Sequence, residues 1–137
     1  MAASFGDPSI QQYLESTEVV VLAMLTPNGA PLATPMWFVH DTGELAMVSV
    51  DGLAKIRNLQ RDGRVSVVAE GGGRGAIDGV VLAGEVRFVE GEERLDWGRR
   101  FREKYTLDID RLWGGPDLPD NRRVFVFEPR LVSSFGL

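Results

Sequence analysis

Cysteine is absent and histidine occurs once, at His40. Without thiols there is no disulfide framework, no thiolate metal site and no cysteine nucleophile, and a single imidazole cannot assemble a multi-histidine metal centre. His40 is followed directly by Asp41, and neighbours on a strand point to opposite faces, which argues against a hydrolytic triad. No apolar run approaches the roughly 18 residues that a membrane span needs. The N-terminus also lacks the charged-then-apolar layout of a signal peptide, so a cytoplasmic protein is the expectation. A triphosphate loop and a dinucleotide fingerprint are both missing. Gly71-Gly72-Gly73-Arg74-Gly75 has the glycines but no lysine-bearing helix after it, and it reads as a flexible loop. An excess of positive charge is lacking too: 15 Lys and Arg against 20 Asp and Glu leave a net charge of −5. Neither nucleic acid nor an anionic membrane is therefore an expected partner, whereas a local basic patch can still hold a small anion.

What is present is a chain of 137 residues, 44% apolar and 26% charged, the composition of one globular domain spanning residues 1–137. Sixteen glycines and seven prolines point to many turns between short strands, hence a mainly β fold with a few helices and six or seven strands. Met1 to Gly6 reads as a frayed lead. Asp7-Pro8 opens a short helix to about Glu15 with Ile10, Tyr13 and Leu14 as its apolar stripe. Glu18 to Leu25 reads as a strand buried on both faces, and Thr26-Pro27-Asn28-Gly29 as a tight turn. Ala30 to His40 contains Pro31 and Pro35, which lack the amide of a central ladder, so this strand should be bulged or lie at an edge. With Glu44 to Val50 it is expected to complete a three-stranded meander. Further on, Arg64 to Glu70 and Val80 to Glu90 are strands, and Glu92 to Tyr105 is a helix with Trp97, Phe101 and Tyr105 on one core-facing stripe. Leu107 to Pro119 reads as an irregular loop whose Trp113, held by glycines, could serve as a lid. Arg123 to Glu128, interrupted at Pro129 and resumed from Leu131 to Phe135, closes the chain.

The stretch from Val48 to Arg64 is the richest in chemistry. It reads as a strand end, an Asp51-Gly52 turn, a helix carrying Lys55, Arg57 and Arg61, and a stop at Asp62-Gly63. A hydroxyl at Ser49, backbone donors at a helix start and a lysine in the first turn are the parts of a phosphate site. At about 100° per residue, Lys55 shares a face with Leu59, and Arg57 shares another with Arg61. Lys55 thus takes the inward, ligand-facing position, and the two arginines form a basic rim or pair with surface acids. The carboxylate pairs Glu92-Glu93 and Asp108/Asp110 lie in charge-rich segments and read as solvated. No side chain is placed to do chemistry alone, so an enzymatic role requires a bound cofactor.

Three segments carry a resemblance that covers nearly the whole chain: Val21 to Gly29 with Ala33-Thr34-Pro35-Met36-Trp37-Phe38; Ala54 to Ser66; and Val124 to Pro129 leading to Phe135-Gly136-Leu137. In order and spacing they resemble the pyridoxamine 5′-phosphate oxidase-like, FMN-binding split β-barrels, in particular the branch of flavin- and deazaflavin-dependent oxidoreductases. The resemblance implies a homodimer with a cofactor in each cleft between subunits. Ser49 and Lys55 would hold the cofactor phosphate with Arg57 nearby, and Pro35, Met36 and Trp37 would face the reactive middle of the ring. Ala33 and Phe38 stand where the classical oxidases carry an arginine and a lysine, and Ala54 replaces a further arginine, so oxidation of pyridoxamine phosphate is not expected.

The expected function is that of an oxidoreductase using the deazaflavin coenzyme F420 to transfer hydride to a small conjugated substrate, with Arg57, Arg61 and Arg64 available to its acidic tail. The alternatives are an FMN-dependent oxidoreductase of the same fold and a non-catalytic carrier of a flavin, deazaflavin or tetrapyrrole.

Overall fold

Strand β1 (Val19–Leu25) sets the pattern of the sheet. Val20, Leu22 and Met24 are buried while Val19, Val21, Ala23 and Leu25 keep part of their surface, the period of two that a pleated strand imposes. The valine-rich run therefore does not bury both faces. The computed structural model describes residues 3–137. After β1 come β2 (Pro31–Trp37), β3 (Val39–His40), β4 (Leu45–Val50), β5 (Arg64–Gly73), β6 (Ala76–Val89) and β7 (Arg122–Phe135). They form one antiparallel seven-stranded sheet in the order β2-β1-β5-β6-β7-β4-β3, curled into a split β-barrel. Among the described residues four helices accompany it: α1 (Pro8–Glu15), α2 (Ala54–Arg61), α3 (Gly91–Lys104) and α4 (Thr106–Trp113).

Two cores lie on the two faces of the sheet. Leu22, Met47, Leu82, Phe125 and Phe127 fill the barrel with Ile10 and Leu14 of α1 and Ile56 and Leu59 of α2. On the other face of β4 and β7, Val124, Val126 and Ala46 pack beneath Trp97, Phe101 and Tyr105 of α3 and Ile109 of α4. The aromatic stripe of α3 is thus core, as its spacing predicts. Phe5 joins the barrel core with 6% of its surface exposed, so the lead is not frayed from Phe5 onward; Met1 and Ala2 lie outside the described residues.

Three further expectations are overturned. The segment Ala30 to Val50 is not part of a meander, because β2 pairs only with β1, whereas β4 pairs with β3 and β7. A strand with two proline nitrogens is a poor template for a further strand, and the chain instead crosses at Phe38 to the opposite end of the sheet. The glycines from Gly71 to Gly73 are strand, not loop, and the β5–β6 ladder continues to Gly73 opposite Ala76. A Cβ at Gly71 would come within 2.7 Å of Asp78 Oδ1 and 2.9 Å of the Tyr13 hydroxyl. Small residues here let Tyr13 reach from α1 and donate to Asp78 Oδ1 at 2.5 Å. Burial, and then Asp78, push the Tyr13 phenol up to about 12. Tyr13→Phe is expected to lower stability by about 1.5 kcal/mol, the lower end for a hydrogen bond to a charged group, read as a drop in the urea midpoint.

Finally, Leu107 to Trp113 is helix rather than irregular loop. Ile109 is buried against the second core, Asp108 and Arg111 sit in the first and last turns, where their charges oppose the helix dipole, and Gly114 ends the helix in the left-handed conformation with φ of 75°.

Candidate functional site

The barrel is open where its two ends fail to pair. Strand β3 is two residues long and reaches only Leu45 and Ala46, so among the described residues Met47 to Val50 have β7 on one side and no strand on the other. A cavity of about 280 Å³ occupies this split. Pro35, Met36 and Trp37 of β2 line one side, Val48, Ser49 and Val50 of β4 the other, and Lys55 of α2 stands at the rim. Phe101 of α3 and Ile109, Leu112 and Trp113 of α4, with Arg122 at the start of β7, complete the wall.

Local structure explains how Lys55 arrives there. The Asp51-Gly52 turn has Gly52 at φ of 85°, a conformation that disfavours any side chain, and Asp51 N donates to the Asn121 carbonyl at 2.8 Å. The turn is thereby tied to the start of β7, and α2 begins immediately above the end of β4. Ile56, Asn58 and Leu59 are buried, which rolls Lys55 toward the cavity, half-buried, with Nζ 3.4 Å from the Met36 sulfur. A thioether is a weak acceptor, so this ammonium retains its capacity for a stronger partner. The N-cap Leu53 offers no side-chain acceptor to the first-turn amides.

Of the residues singled out in the sequence, Pro35, Met36, Trp37, Ser49 and Lys55 converge on this cavity. Arg57 and Arg61 do not. Arg57 Nη1 bonds the Gly52 carbonyl, and Arg61 Nη2 donates to the Leu25 carbonyl at 2.6 Å, closing the end of β1. Arg64 is held by Asp62 at 2.7 Å, which draws the Asp62 carboxyl down to about 2. The sequence reading missed Arg122 and, apart from Trp113, the wall made by α4; the apolar positions Ile109 and Leu112 carried that signal, obscured by the glycines that follow Trp113. The cavity wall includes two cations, Lys55 and Arg122, and no carboxylate, in a chain with 20 acidic residues. Among the described residues neither cation enters an ion pair.

Trp37 forms the aromatic part of the floor. Its indole stacks on Tyr105 with ring centroids 4.3 Å apart and planes within 2°. The Tyr105 hydroxyl accepts from Phe38 N at 3.1 Å and lies 2.6 Å from the Glu18 carbonyl, to which it can donate. Burial pushes this phenol up to about 12.

A second cavity of about 270 Å³ is lined by Glu15, Val39, His40, Arg100, Glu103 and Lys104. Its charges are of both signs. Burial pushes His40 below its usual range despite Glu15 at 3.8 Å and brings Lys104 down to about 8. Among the described residues no group of three or more His, Cys, Asp or Glu is placed to hold a metal ion, and no helix is long and apolar enough to cross a membrane.

A curled seven-stranded sheet with a cation-bearing cleft at its split defines the class: a split β-barrel. The pyridoxamine 5′-phosphate oxidase family model matches residues 7–135, and the chain belongs to that family. No curated protein matches it. Among solved structures, the chain is similar to the conserved hypothetical protein Rv2991 from Mycobacterium tuberculosis, with 26% identity and a TM-score of 0.79 over 94% of this chain and 83% of that one. It is also similar to HutZ, the heme storage protein from Vibrio cholerae, with 17% identity and a TM-score of 0.77 over 94% and 92% of the two chains. A FAD-binding protein from Mesorhizobium loti shares 22% identity and a TM-score of 0.70 over 90% and 89%. At such identities the last two speak to the fold alone.

Proposed function

We propose that the chain is an oxidoreductase that holds a flavin-type cofactor in the split, with coenzyme F420 as the cofactor and FMN as the alternative, and passes hydride to a small conjugated substrate. The observation that carries this reading is the acid-free cavity: two cations, a hydroxyl and an aromatic floor in an otherwise acidic chain. Such a wall suits a ligand with an apolar ring at one end and an anion at the other.

The residues present fit that group. Lys55, with Ser49 and the first amides of α2, would hold the phosphate, since the lysine has only a sulfur for company. Trp37 and the cavity-facing residues of α4 would flank the ring. The unpaired edge of β4 from Met47 to Val50 offers backbone donors and acceptors toward the split, and such groups read a heteroaromatic edge. When bound, the cofactor would supply the hydride chemistry; the protein's part is to orient it and exclude water. Lys55→Ala is expected to weaken FMN and coenzyme F420 binding by roughly 10- to 100-fold, the value of one charge-assisted hydrogen bond, with an unchanged urea midpoint. Undiminished affinity would remove Lys55 from the site.

A cavity of about 280 Å³ lies just below the usual size of a small-molecule pocket, so a second chain would be needed to cover a tricyclic ring. The outer face of five strands offers the surface for it. In register, Pro35, Val21, Val68, Val81 and Ser133 form one row, and Ala33, Ala23, Ser66, Ala83 and Leu131 the next. None of these ten positions is charged. We therefore propose a homodimer with the cofactor in the cleft between subunits.

Fluorescence-quench titration of the purified protein with coenzyme F420 and with FMN tests the reading. Binding followed by substrate-dependent reoxidation of the reduced cofactor supports the enzyme. Binding without turnover across enones and quinones favours the second reading, a carrier. For heme itself the Met36 sulfur is the one axial donor on the cavity wall, with no histidine, cysteine or tyrosine beside it, so a flavin or deazaflavin is the better cargo. Binding of neither ligand would overturn the enzyme and the flavin or deazaflavin carrier alike.

A further inference from the structure

We propose that Arg122 forms a second anion subsite on the opposite face of β4 from Lys55, so that the natural ligand carries two separated anionic groups. This rests on the reading that the split holds a flavin-type ring. The separation follows from the register. Met47 is in the barrel core while Ala46 is in the core beneath the helices, and strand alternation places Ser49 on the face of Met47 and Val50 on the face of Ala46. Val50 is the partner of Arg122 across the β4–β7 ladder, so the arginine shares its face, the helix-covered one. Lys55, against Met36 in the barrel core, stands on the other. The two cations bracket the free end of β4, and the cavity reaches both.

Arg122 is also prepared for a ligand. Arg94 holds its backbone, with Nε and Nη2 donating to the Arg122 carbonyl at 3.3 and 2.9 Å. Its own guanidinium is aimed by two neutral acceptors, the Asn121 side-chain oxygen at 2.7 Å from Nη1 and the Leu112 carbonyl at 3.0 Å from Nη2. These contacts use two of the five guanidinium N–H groups and neutralise none of the charge. The remaining donors can take a carboxylate or phosphate oxygen in the fork geometry that arginine favours. A ligand with a phosphate near its ring and further acidic groups along its tail satisfies both cations; a simple phosphate monoester satisfies one.

The test compares dissociation constants for riboflavin, FMN and coenzyme F420 on the wild-type protein and on Lys55→Ala, Arg122→Gln and Arg122→Lys. Ratios are taken within each ligand, so differences between rings cancel. Lys55→Ala should weaken FMN and coenzyme F420 by similar factors. Arg122→Gln should weaken coenzyme F420 at least tenfold more than FMN, and Arg122→Lys, which keeps the charge, should recover most of that excess. Should the glutamine variant fail to fold, the lysine variant at low and high salt replaces it, with the excess confined to high salt. Equal losses for FMN and coenzyme F420 on Arg122→Gln would overturn the second subsite and leave the proposed function standing. Binding of none of the three ligands would overturn the function and the subsite with it.

Discussion

Tyr105→Phe is expected to lower stability by about 2 to 4 kcal/mol while leaving every aromatic contact in place. The hydroxyl it removes sits where the barrel splits. Between β2 and β3 the chain crosses from one end of the sheet to the other at Phe38, and a residue in transit has no ladder to satisfy its amide. The Tyr105 oxygen accepts that amide at 3.1 Å. One hydroxyl has one proton to give, and the Glu18 carbonyl at 2.6 Å is a closer acceptor than the Phe38 carbonyl at 3.0 Å, which also receives Lys104 Nζ at 3.0 Å. A single group thus ties the crossing strand to the residue preceding β1. Phenylalanine leaves the buried Phe38 amide unpaired, a loss of about 1 to 3 kcal/mol, and adds the weaker loss at Glu18. Because Trp37 adjoins Phe38 and stacks on the same ring, the floor of the split loosens as well. The expected result is a lower urea midpoint together with weaker cofactor binding; an unchanged midpoint would show that water satisfies the amide.

How much of this could be read in the sequence follows from the range of each interaction. Period and punctuation are local, so α1, the turn after Leu25, the edge character of a strand with Pro31 and Pro35, and the strand-turn-helix from Val48 to Arg61 were all legible. The convergence of Lys55, Ser49 and Pro35 to Trp37 was legible through the resemblance together with helical spacing. What was not legible depends on tertiary contacts. Gly71 to Gly73 read as loop because composition cannot show that Asp78 and Tyr13 occupy the space of the missing Gly71 side chain. Trp113 read as loop because Gly114 and Gly115 lie next to it, although Ile109 anchors the preceding turn. Arg57 and Arg61 read as rim cations because carbonyl acceptors such as Leu25 O have no sequence signature. Arg122 was invisible for the same reason: its place depends on the register of β7 against β4.

Val68→Asp should convert the proposed dimer to monomer at micromolar concentration and abolish cofactor binding without unfolding the chain. Val68 is the middle of the row Pro35, Val21, Val68, Val81 and Ser133, with an uncharged row beside it, and its side chain points away from the barrel core, opposite to the buried Val67. In an isolated chain aspartate there meets water, so folding should change little. Against a second copy it would meet the same apolar surface, and an unpaired carboxylate in such a place costs several kcal/mol. At about 4 kcal/mol the dissociation constant rises roughly a thousandfold. The effect on the cofactor is what distinguishes a shared cleft from a chance association. Pro35 belongs both to this row and to the cavity wall, so the dimer face runs directly into the split, and separating the chains would uncover the ring. Light scattering gives the oligomeric state and the quench titration gives the affinity on the same samples. A monomeric variant that binds coenzyme F420 as tightly as the wild type would place the whole site within one chain, and a monomeric wild type would remove the shared cleft altogether.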